Sequence, residues 1–560
     1  MAKDFLRHGS NFLSRRQTGI LSAASVIMVM IALSRVLGLV RNRVLAHFFV
    51  ADTLSVYFAA FRLPETIFEV LVFGALSSAF VPVFTSFISR KQKDQAWYVA
   101  AVSLNFAILI FAAFALLIFI FAQPLYRILA PGFSPDQTAQ IAQITRILLF
   151  AQAFFVFSYF LTGVLESMQR FLVPAMAPLF YNLGIILGTI FLAPRLGIYG
   201  PAIGAVIGAF FHFLIQLPLA AHLGFRFRFK LDLSHPGVRE IGKLAWPRIV
   251  ELSFLQVGKS AELFLASLVS VAAYTYYTFA NSLQLLPLGL FGISIAKASL
   301  PSLSYQSARG DLKKLTQTFT GLFDQILFLI LPCAVFLAVL RIPVVRLVFG
   351  AAKFTWESTV QTGLTLSAFS LAIFSQALVY LLTRTFYALH DTKTPVKISI
   401  TAIILDIFLG VLFIIGWHLP IWSLALSYSL ASLFQFLALY LFLARRLPIF
   451  SRQEVIAALK IFVASFVSGG AMYFLLKILD QSVWDKRLSF LGNFGLALPT
   501  TLDHFVLDTR YTPNLFYLTF IVGLIGLLVY LGMAWILRIK ELSLLARVIG
   551  KIKQLPLRFW

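Results

Sequence analysis

The chain has 560 residues, 60% of them hydrophobic and only 12% charged, with a mean hydropathy of +0.90. A soluble protein of this size has no place for so many apolar side chains. Secreted and disulfide-stapled classes are excluded as well, because the single cysteine, Cys333, lies in an apolar run. The net charge of +24 would point to nucleic acid on a soluble chain and to topology on a membrane one.

About 20 mostly apolar residues cross a bilayer. In chain order, such segments are predicted at 20–47, 53–88, 96–122, 138–168, 174–194, 199–221, 240–269, 273–305, 312–340, 357–389, 395–416, 420–444, 454–479 and 514–537. The expected fold is an all-α polytopic membrane protein with about 14 transmembrane helices. The basic start leads into an apolar run too long for a signal peptide, with no small-residue cleavage site.

The basic residues orient these spans. With helix-end residues counted in the adjoining loops, 27 of the 46 Lys and Arg fall in the two tails and every second loop, against 8 in the opposite loops. Cytoplasmic loops collect Lys and Arg, so both termini are expected in the cytoplasm. The remaining 11 lie within spans: Arg35, Arg41, Arg43, Arg62, Arg146, Arg248, Lys259, Lys297, Arg384, Lys460 and Lys477.

Local patterns recur at offsets of 218 to 223 residues. Phe73-Gly74 before Pro82 matches Phe291-Gly292 before Pro301. The turn ending at Pro174 matches the turn ending at Pro395, and Phe211–Leu214 matches Phe434–Leu437. Six spans per repeat make two parallel six-helix lobes plus a C-terminal helix pair. The expected divisions are a cytoplasmic basic tail (1–19), an N-terminal lobe (20–223), a cytoplasmic linker (224–239), a C-terminal lobe (240–445), and spans 13 and 14 (454–537) enclosing an extracytoplasmic insert (480–513). A basic cytoplasmic tail (538–560) follows. Its stretch Glu541–Trp560 alternates aliphatic residues with Arg547, Lys551, Lys553 and Arg558, and reads either as an amphipathic segment on the anionic inner leaflet or as a disordered tail.

Several runs carry a resemblance: Ser34-Arg35-Val36-Leu37-Gly38-Leu39-Val40-Arg41, Ala60-Phe61-Arg62-Leu63-Pro64, Gly74–Pro82, Leu286–Gly292 and Phe386–Lys397. In this order they resemble the MurJ/MviN lipid II flippases of the multidrug/oligosaccharidyl-lipid/polysaccharide exporter superfamily. The resemblance covers about 20–445 and implies two six-helix lobes plus a final pair that helps form a groove for a lipid tail. It also implies a transporter, not an enzyme, that moves undecaprenyl-diphosphate-linked peptidoglycan precursor from the inner to the outer leaflet by alternating access. A diphosphate head cannot cross hydrocarbon unaided, and a cationic cavity would replace its hydration. The implied setting is the bacterial inner membrane, with anionic inner-leaflet lipids and cell-wall synthesis proteins as further partners and no nucleic acid.

The family's cavity arginines on spans 1, 2 and 8 are matched in part. Arg35 and Arg41 fall on matching positions, and Arg62 carries over well. Asn42, Ser55, Phe68, Phe73 and Ser282 stand where the family usually has charged residues. Charges inside spans are costly and usually functional. Arg35, Arg41, Arg62, Lys259 and Lys297 are therefore the candidate substrate-binding set, with Lys259 and Lys297 standing in for the span-8 arginine. Glu65 and Glu69, one turn apart, either pair with Arg35 or Arg41 or include a proton carrier. Lys259 can pair with Glu262, and Arg248 with Glu251, each three residues on. Glu262 and Asp406 match positions that hold sodium in some family members, although Gly410 replaces the expected polar partner of Asp406. Asp406 also reads as a helix-dipole or hydrogen-bonding group, and His212 as a packed polar residue. Asp324 and Arg384 are isolated in the sequence.

No nucleotide-phosphate loop, Cys/His metal cluster or nucleophile elbow is present in the sequence. No cofactor is expected. Energy would come from membrane potential or a proton or sodium gradient, at roughly 2.3 kcal/mol per charge per 100 mV. Three functions fit the residues: a flippase for lipid-linked cell-wall precursor, a cation-coupled exporter of other amphipathic substrates, and a transport-dead scaffold.

Overall fold

The computed structural model describes residues 20–73, 79–449, 452–480, 507–509 and 511–543. The basic tail at 1–19, the motif residues 74–78, nearly all of the 480–513 insert and most of Glu541–Trp560 lie outside the described residues. Twelve helical segments between Lys93 and Ile536 are long and apolar enough to cross a membrane. Two predicted spans are outside that set. One is α1 (Ile20–Phe48), a continuous helix of 29 residues. The other, predicted at 53–88, is built from short pieces: α2 (Ala51–Ala60), α3 (Arg62–Ile67), a π-helical stretch (Phe68–Phe73) and α4 (Val81–Ser89).

By backbone contacts the chain divides into two compact units. The first comprises Met1–Thr278 with Phe349–Ser358 and Gly410–His418. After α4 it contains α5 (Lys93–Leu129), α6 (Pro135–Ser167), α7 (Leu172–Leu187), α8 (Ala193–Leu196), α9 (Tyr199–Leu214), α10 (Leu217–His222), α11 (Pro236–Val269) and the start of α12 (Ala273–Pro287). A tight seam joins α7, with its π-helical extension Gly188–Leu192, to α9. Gly184 and Gly188 face Gly204 and Gly208. A Cβ on Gly184 would come within 2.4 Å of the Gly208 Cα, and one on Gly204 within 2.4 Å of the Gly184 carbonyl oxygen. Among lipids, close backbone approach through small residues replaces the hydrophobic drive that is absent there.

Beside this seam, α6 and α9 share a buried polar knot. The Ser158 hydroxyl lies 2.6 Å from His212 Nδ1, Gln216 Nε2 donates to Ser158 at 2.7 Å, and Thr162 donates to Gln216 at 2.9 Å. His212 is thus a packed polar group, as its position suggests. The linker 224–239 is tied to α5: Asn105 donates to the Arg228 and Lys230 carbonyls, and the Tyr98 hydroxyl donates to Asp232 at 2.9 Å. Hydrogen bonds from Ser234 and Tyr98 hold the Asp232 carboxyl down at about 2.

The second unit comprises Phe279–Val348, Thr359–Leu409 and Leu419–Trp560. It holds the rest of α12, then α13 (Ser294–Ala308), α14 (Leu312–Val339), most of α15 (Arg341–Phe349), α16 (Trp356–Ala388) and α17 (Lys393–Val411), and then α18 (Trp422–Ala444), α19 (Arg452–Leu479) and α20 (Thr512–Ile536). The final pair α19–α20 is fastened to α14. A Cβ on Gly469 would meet Val335 and one on Gly523 would meet Phe336, each within 3 Å, and the Tyr530 hydroxyl donates to the Phe328 carbonyl at 2.7 Å.

The repeat is written in the backbone. Left-handed residues occur at Lys91 and Gly310, at Gln169 and His390, and at Gly197 and His418, with φ between +51° and +69°. Their offsets are 219, 221 and 221. π-Helical stretches begin at Phe68 and Leu288 and at Gly188 and Leu412. Helices α6 and α16 each run 33 residues, 221 apart, and each starts at a hydroxyl cap: Ser134 accepts from the Gln137 amide and Thr355 from the Ser358 amide, both at 3.2 Å.

The turn before α17 shows why its motif has its residues. Asp391 accepts from the Lys393 and Thr394 amides at 3.0 Å, capping the helix, and pairs with Arg446 at 2.7 Å. Burial acts to raise the Asp391 carboxyl. The Thr394 hydrogen bonds and the Arg446 charge outweigh it, and the group lies below the usual range.

Two outcomes follow. Gly204→Leu should cost about 3 kcal/mol or more, because backbone rather than a side chain blocks the new atoms. Gly470→Leu, with open space at its Cβ, should be tolerated, and melting of the two purified variants compares them. Asp391 has a depressed folded value, so its contribution is full above the unfolded carboxyl's pKa of about 3.9 and is lost as the pH falls through the folded value. Wild type and Asp391→Asn should therefore differ in melting temperature at neutral pH and converge in acid.

Candidate functional site

The site begins with a proline. Pro64 has no amide hydrogen, and its ring displaces the carbonyl of Ala60, four residues earlier. The helix breaks at Phe61, between α2 and α3. The released carbonyls are taken from outside the helix. The Tyr126 hydroxyl lies 3.0 and 3.1 Å from the Ala59 and Ala60 oxygens, and the Thr145 hydroxyl donates to Ala60 at 3.0 Å. This bracing holds Arg62, the first residue of α3, with only 4% of its surface exposed.

Arg62 is fixed by polar neighbours. Its Nε and Nη2 donate to the Thr66 hydroxyl at 3.3 and 3.1 Å. Nη2 also donates to Gln256 on α11, the Gln256 amide donates to Glu69, and the Lys259 ammonium reaches the same Glu69 oxygen at 2.9 Å. A continuous relay thus runs Thr66, Arg62, Gln256, Glu69, Lys259, binding the π-helical stretch to α11. The Lys259 and Glu69 side chains are 44% and 34% exposed, so this pair is worth at most about 1 kcal/mol. The buried Arg62–Gln256 link is the firmer one.

Glu65 lies within electrostatic reach of Arg62, Glu69, Lys259 and Arg41. Arg41 has no acid partner among the described residues. Its Nη1 donates to Asn182 at 3.1 Å, and its Nε and Nη2 donate to Asn42 at 3.1 and 3.0 Å. Asn182 is itself anchored to the Pro178 carbonyl on α7. Two neutral amides therefore orient a guanidinium whose charge they do not cancel.

These contacts revise the expected pairings. Glu69 pairs with Lys259 rather than with Arg35 or Arg41. Lys259 in turn does not take Glu262, whose hydrogen-bonding neighbour is Tyr277. Arg35 is exposed. Arg248 and Glu251 do pair, at 2.7 Å. Lys297 is exposed and belongs to the second unit, as does Asp406, which accepts from Ser427 at 2.8 Å. Glu262 belongs to the first unit. Among the described residues, no three His, Cys, Asp or Glu gather as a metal site.

The departures from the family pattern have local explanations. Phe68 is buried, with ring centroids 5.9 Å from Phe155 and 5.0 Å from Tyr159. Ser55 bonds Thr275 at 2.8 Å, and Ser282 turns back onto the Phe279 carbonyl. Sequence reasoning missed Gln256, Thr66, Asn182, Tyr126 and Thr145. The readable signal was a polar residue inside an apolar span, or an uncharged partner waiting for a proline-released carbonyl.

The sequence model of the family described as lipid II flippase MurJ matches residues 45–494. The chain belongs to the lipid II flippase MurJ family. A probable lipid II flippase MurJ of Vibrio cholerae is 28% identical over 504 residues, covering 86% of this chain and 95% of that protein. One from Thermotoga maritima is 27% identical over 516 residues, covering 92% and 96%. A solved lipid II flippase MurJ in an inward closed conformation aligns with a TM-score of 0.74 and 25% identity over 91% of this chain and 98% of its own. An inward-facing multidrug resistance MATE transporter of the MOP superfamily shares the fold, with a TM-score of 0.64 at 13% identity, over 75% of this chain and 97% of its own. The protein is thus a multi-pass membrane protein of the family's fold.

Removing the brace tests how the site is held. Tyr126→Phe keeps the ring and deletes the hydroxyl, and should cost about 1–3 kcal/mol as the Ala59 and Ala60 carbonyls lose a partner. Thr145→Val should cost a similar amount. Because both serve Ala60, the double variant should fall short of the sum, as thermal unfolding will read.

Proposed function

We propose that this protein is a flippase that moves lipid II from the inner to the outer leaflet by alternating access. The observation that carries the reading is Arg41: a half-buried guanidinium inside a membrane protein, aimed by Asn42 and Asn182 and with no ion-pair partner among the described residues. A cation without a direct counter-ion inside a membrane protein is costly, and the cost is offset when an anionic ligand arrives. A diphosphate suits it, since guanidinium binds phosphate oxygens in pairs. Family membership over residues 45–494 supplies the substrate class.

Arg62 and Lys259 lie on the same acid-linked relay. The diphosphate competes with Glu69 for Lys259 and with Gln256 for Arg62, so binding loosens the tie between the π-helical stretch and α11. That tie is where movement begins. The termini are cytoplasmic and the host membrane is the bacterial inner membrane, as the basic-residue asymmetry supports. Anionic inner-leaflet lipids meet the basic tails, and cell-wall synthesis proteins are its downstream partners. Membrane potential, a proton or sodium drives the cycle, and Glu65, Glu262 and Asp406 are the groups available to couple it.

Complementation tests this. The gene should sustain growth of a bacterium depleted of its own lipid II flippase. Arg41→Gln should abolish rescue while leaving the protein at wild-type abundance, and Arg41→Lys should restore part of it. Rescue by Arg41→Gln at wild-type efficiency would remove Arg41 from the substrate site. Failure of the wild type would set aside the substrate.

A further inference from the structure

An apolar groove of about 320 Å³ runs along the outer faces of α5 and α6, and none of the relay residues lines it. Its walls include Ile108, Phe111, Ala115 and Phe119 on α5 and Ala153 and Phe157 on α6. From Ile108 to Phe119 it extends about 16 Å at a helical rise of 1.5 Å per residue. Its polar surface is negligible, and two of its rim residues, Leu116 and Phe150, are 60% and 59% exposed. The occupant is therefore linear and apolar.

One end of the groove is charged. Arg146 lies one turn before Leu149 and Phe150. Its Nε donates to the Phe119 carbonyl at 2.9 Å, and its guanidinium carbon sits 5.5 Å from the centroid of the Phe119 ring. Both anchors fix the guanidinium, and neither uses its two Nη groups, which have no hydrogen-bond partner among the described residues. Gln143, exposed and three residues earlier, shares that end of the α6 surface. Phe119 is near the limit of the apolar stretch 96–122, so this end lies at headgroup depth. With helices running as the basic-residue asymmetry places them, that headgroup layer is the outer one.

We infer that the α5–α6 groove is a binding site for an anionic glycerophospholipid, with one acyl chain along the groove and the phosphate on the free Nη groups of Arg146. Hydrocarbon is as apolar as the groove wall, so packing supplies a seat without preference. The charge supplies the preference: paired donors from one guanidinium match two phosphate oxygens, and a net negative headgroup is held where a zwitterionic one cancels part of the attraction. The site is separate from the translocation relay and takes a lipid the protein does not carry across.

The test is native mass spectrometry of the full-length protein, released from nanodiscs containing phosphatidylglycerol and phosphatidylcholine with identical acyl chains in equal amounts. The wild type should retain one more phosphatidylglycerol than Arg146→Gln, with the most tightly held lipid favouring phosphatidylglycerol by about fivefold. Arg146→Lys should keep much of that preference, and Ala153→Trp, which fills the groove, should lose the bound lipid with Arg146 intact. Equal retention of both lipids by the wild type would overturn the assignment. So would an undiminished preference in Arg146→Gln, or full occupancy in Ala153→Trp.

Discussion

A carbonyl oxygen cannot be left bare in hydrocarbon. Pro64 creates that situation at Ala60, and much of the candidate site follows from the remedy. Tyr126 and Thr145 come from α5 and α6, so two otherwise ordinary helices are committed to the broken segment α2–α3. The break sets Arg62 deep among helices instead of letting it extend toward a headgroup. From there it reaches Thr66 on its own segment and Gln256 on α11. The proline therefore acts at one remove: it has no N–H to donate, yet three helices are arranged around the group it frees.

The second physical theme is the balance of charge. Arg62 and Lys259 are each linked to Glu69, directly or through Gln256, while Glu65 stands within reach of both cations. Arg41 differs, being held in place by the Asn42 and Asn182 amides with Glu65 acting on it only through space. A site with only ion-paired cations would be stable and inert, and a site with only bare cations would be hard to fold. Here one relay holds the scaffold, and one guanidinium makes its direct contacts with neutral amides alone. Phe68, where the family resemblance leads one to expect charge, joins Phe155 and Tyr159 in an aromatic cluster.

Apolar length and charge made much of this legible in the sequence. The spans from Lys93 onward follow from runs of Leu, Ile, Val and Phe, and the repeat could be seen in motifs such as Phe291-Gly292. The pairings were harder. Lys259 and Glu262 sit one helical turn apart, but the lysine stem is long enough to reach Glu69 on another segment, and helical spacing says nothing about which side of α11 meets a neighbour. Neutral partners were harder still. Gln256, Asn182 and Tyr126 become significant only when the group they satisfy is known, and that group is brought near by tertiary packing. The α7–α9 seam went unread, although its glycines recur every four residues.

The left-handed corners have a consequence for the repeat. At corresponding places in the two repeats stand Lys91 and Gly310, Gln169 and His390, Gly197 and His418. In none of these pairs is the amino acid the same, and in all of them the dihedral is. A non-glycine residue in that region is held against its own preference by the surrounding helices. The two repeats thus differ in side chain at these corners while the bends between helices match. The repeat is recorded more faithfully in angles than in letters.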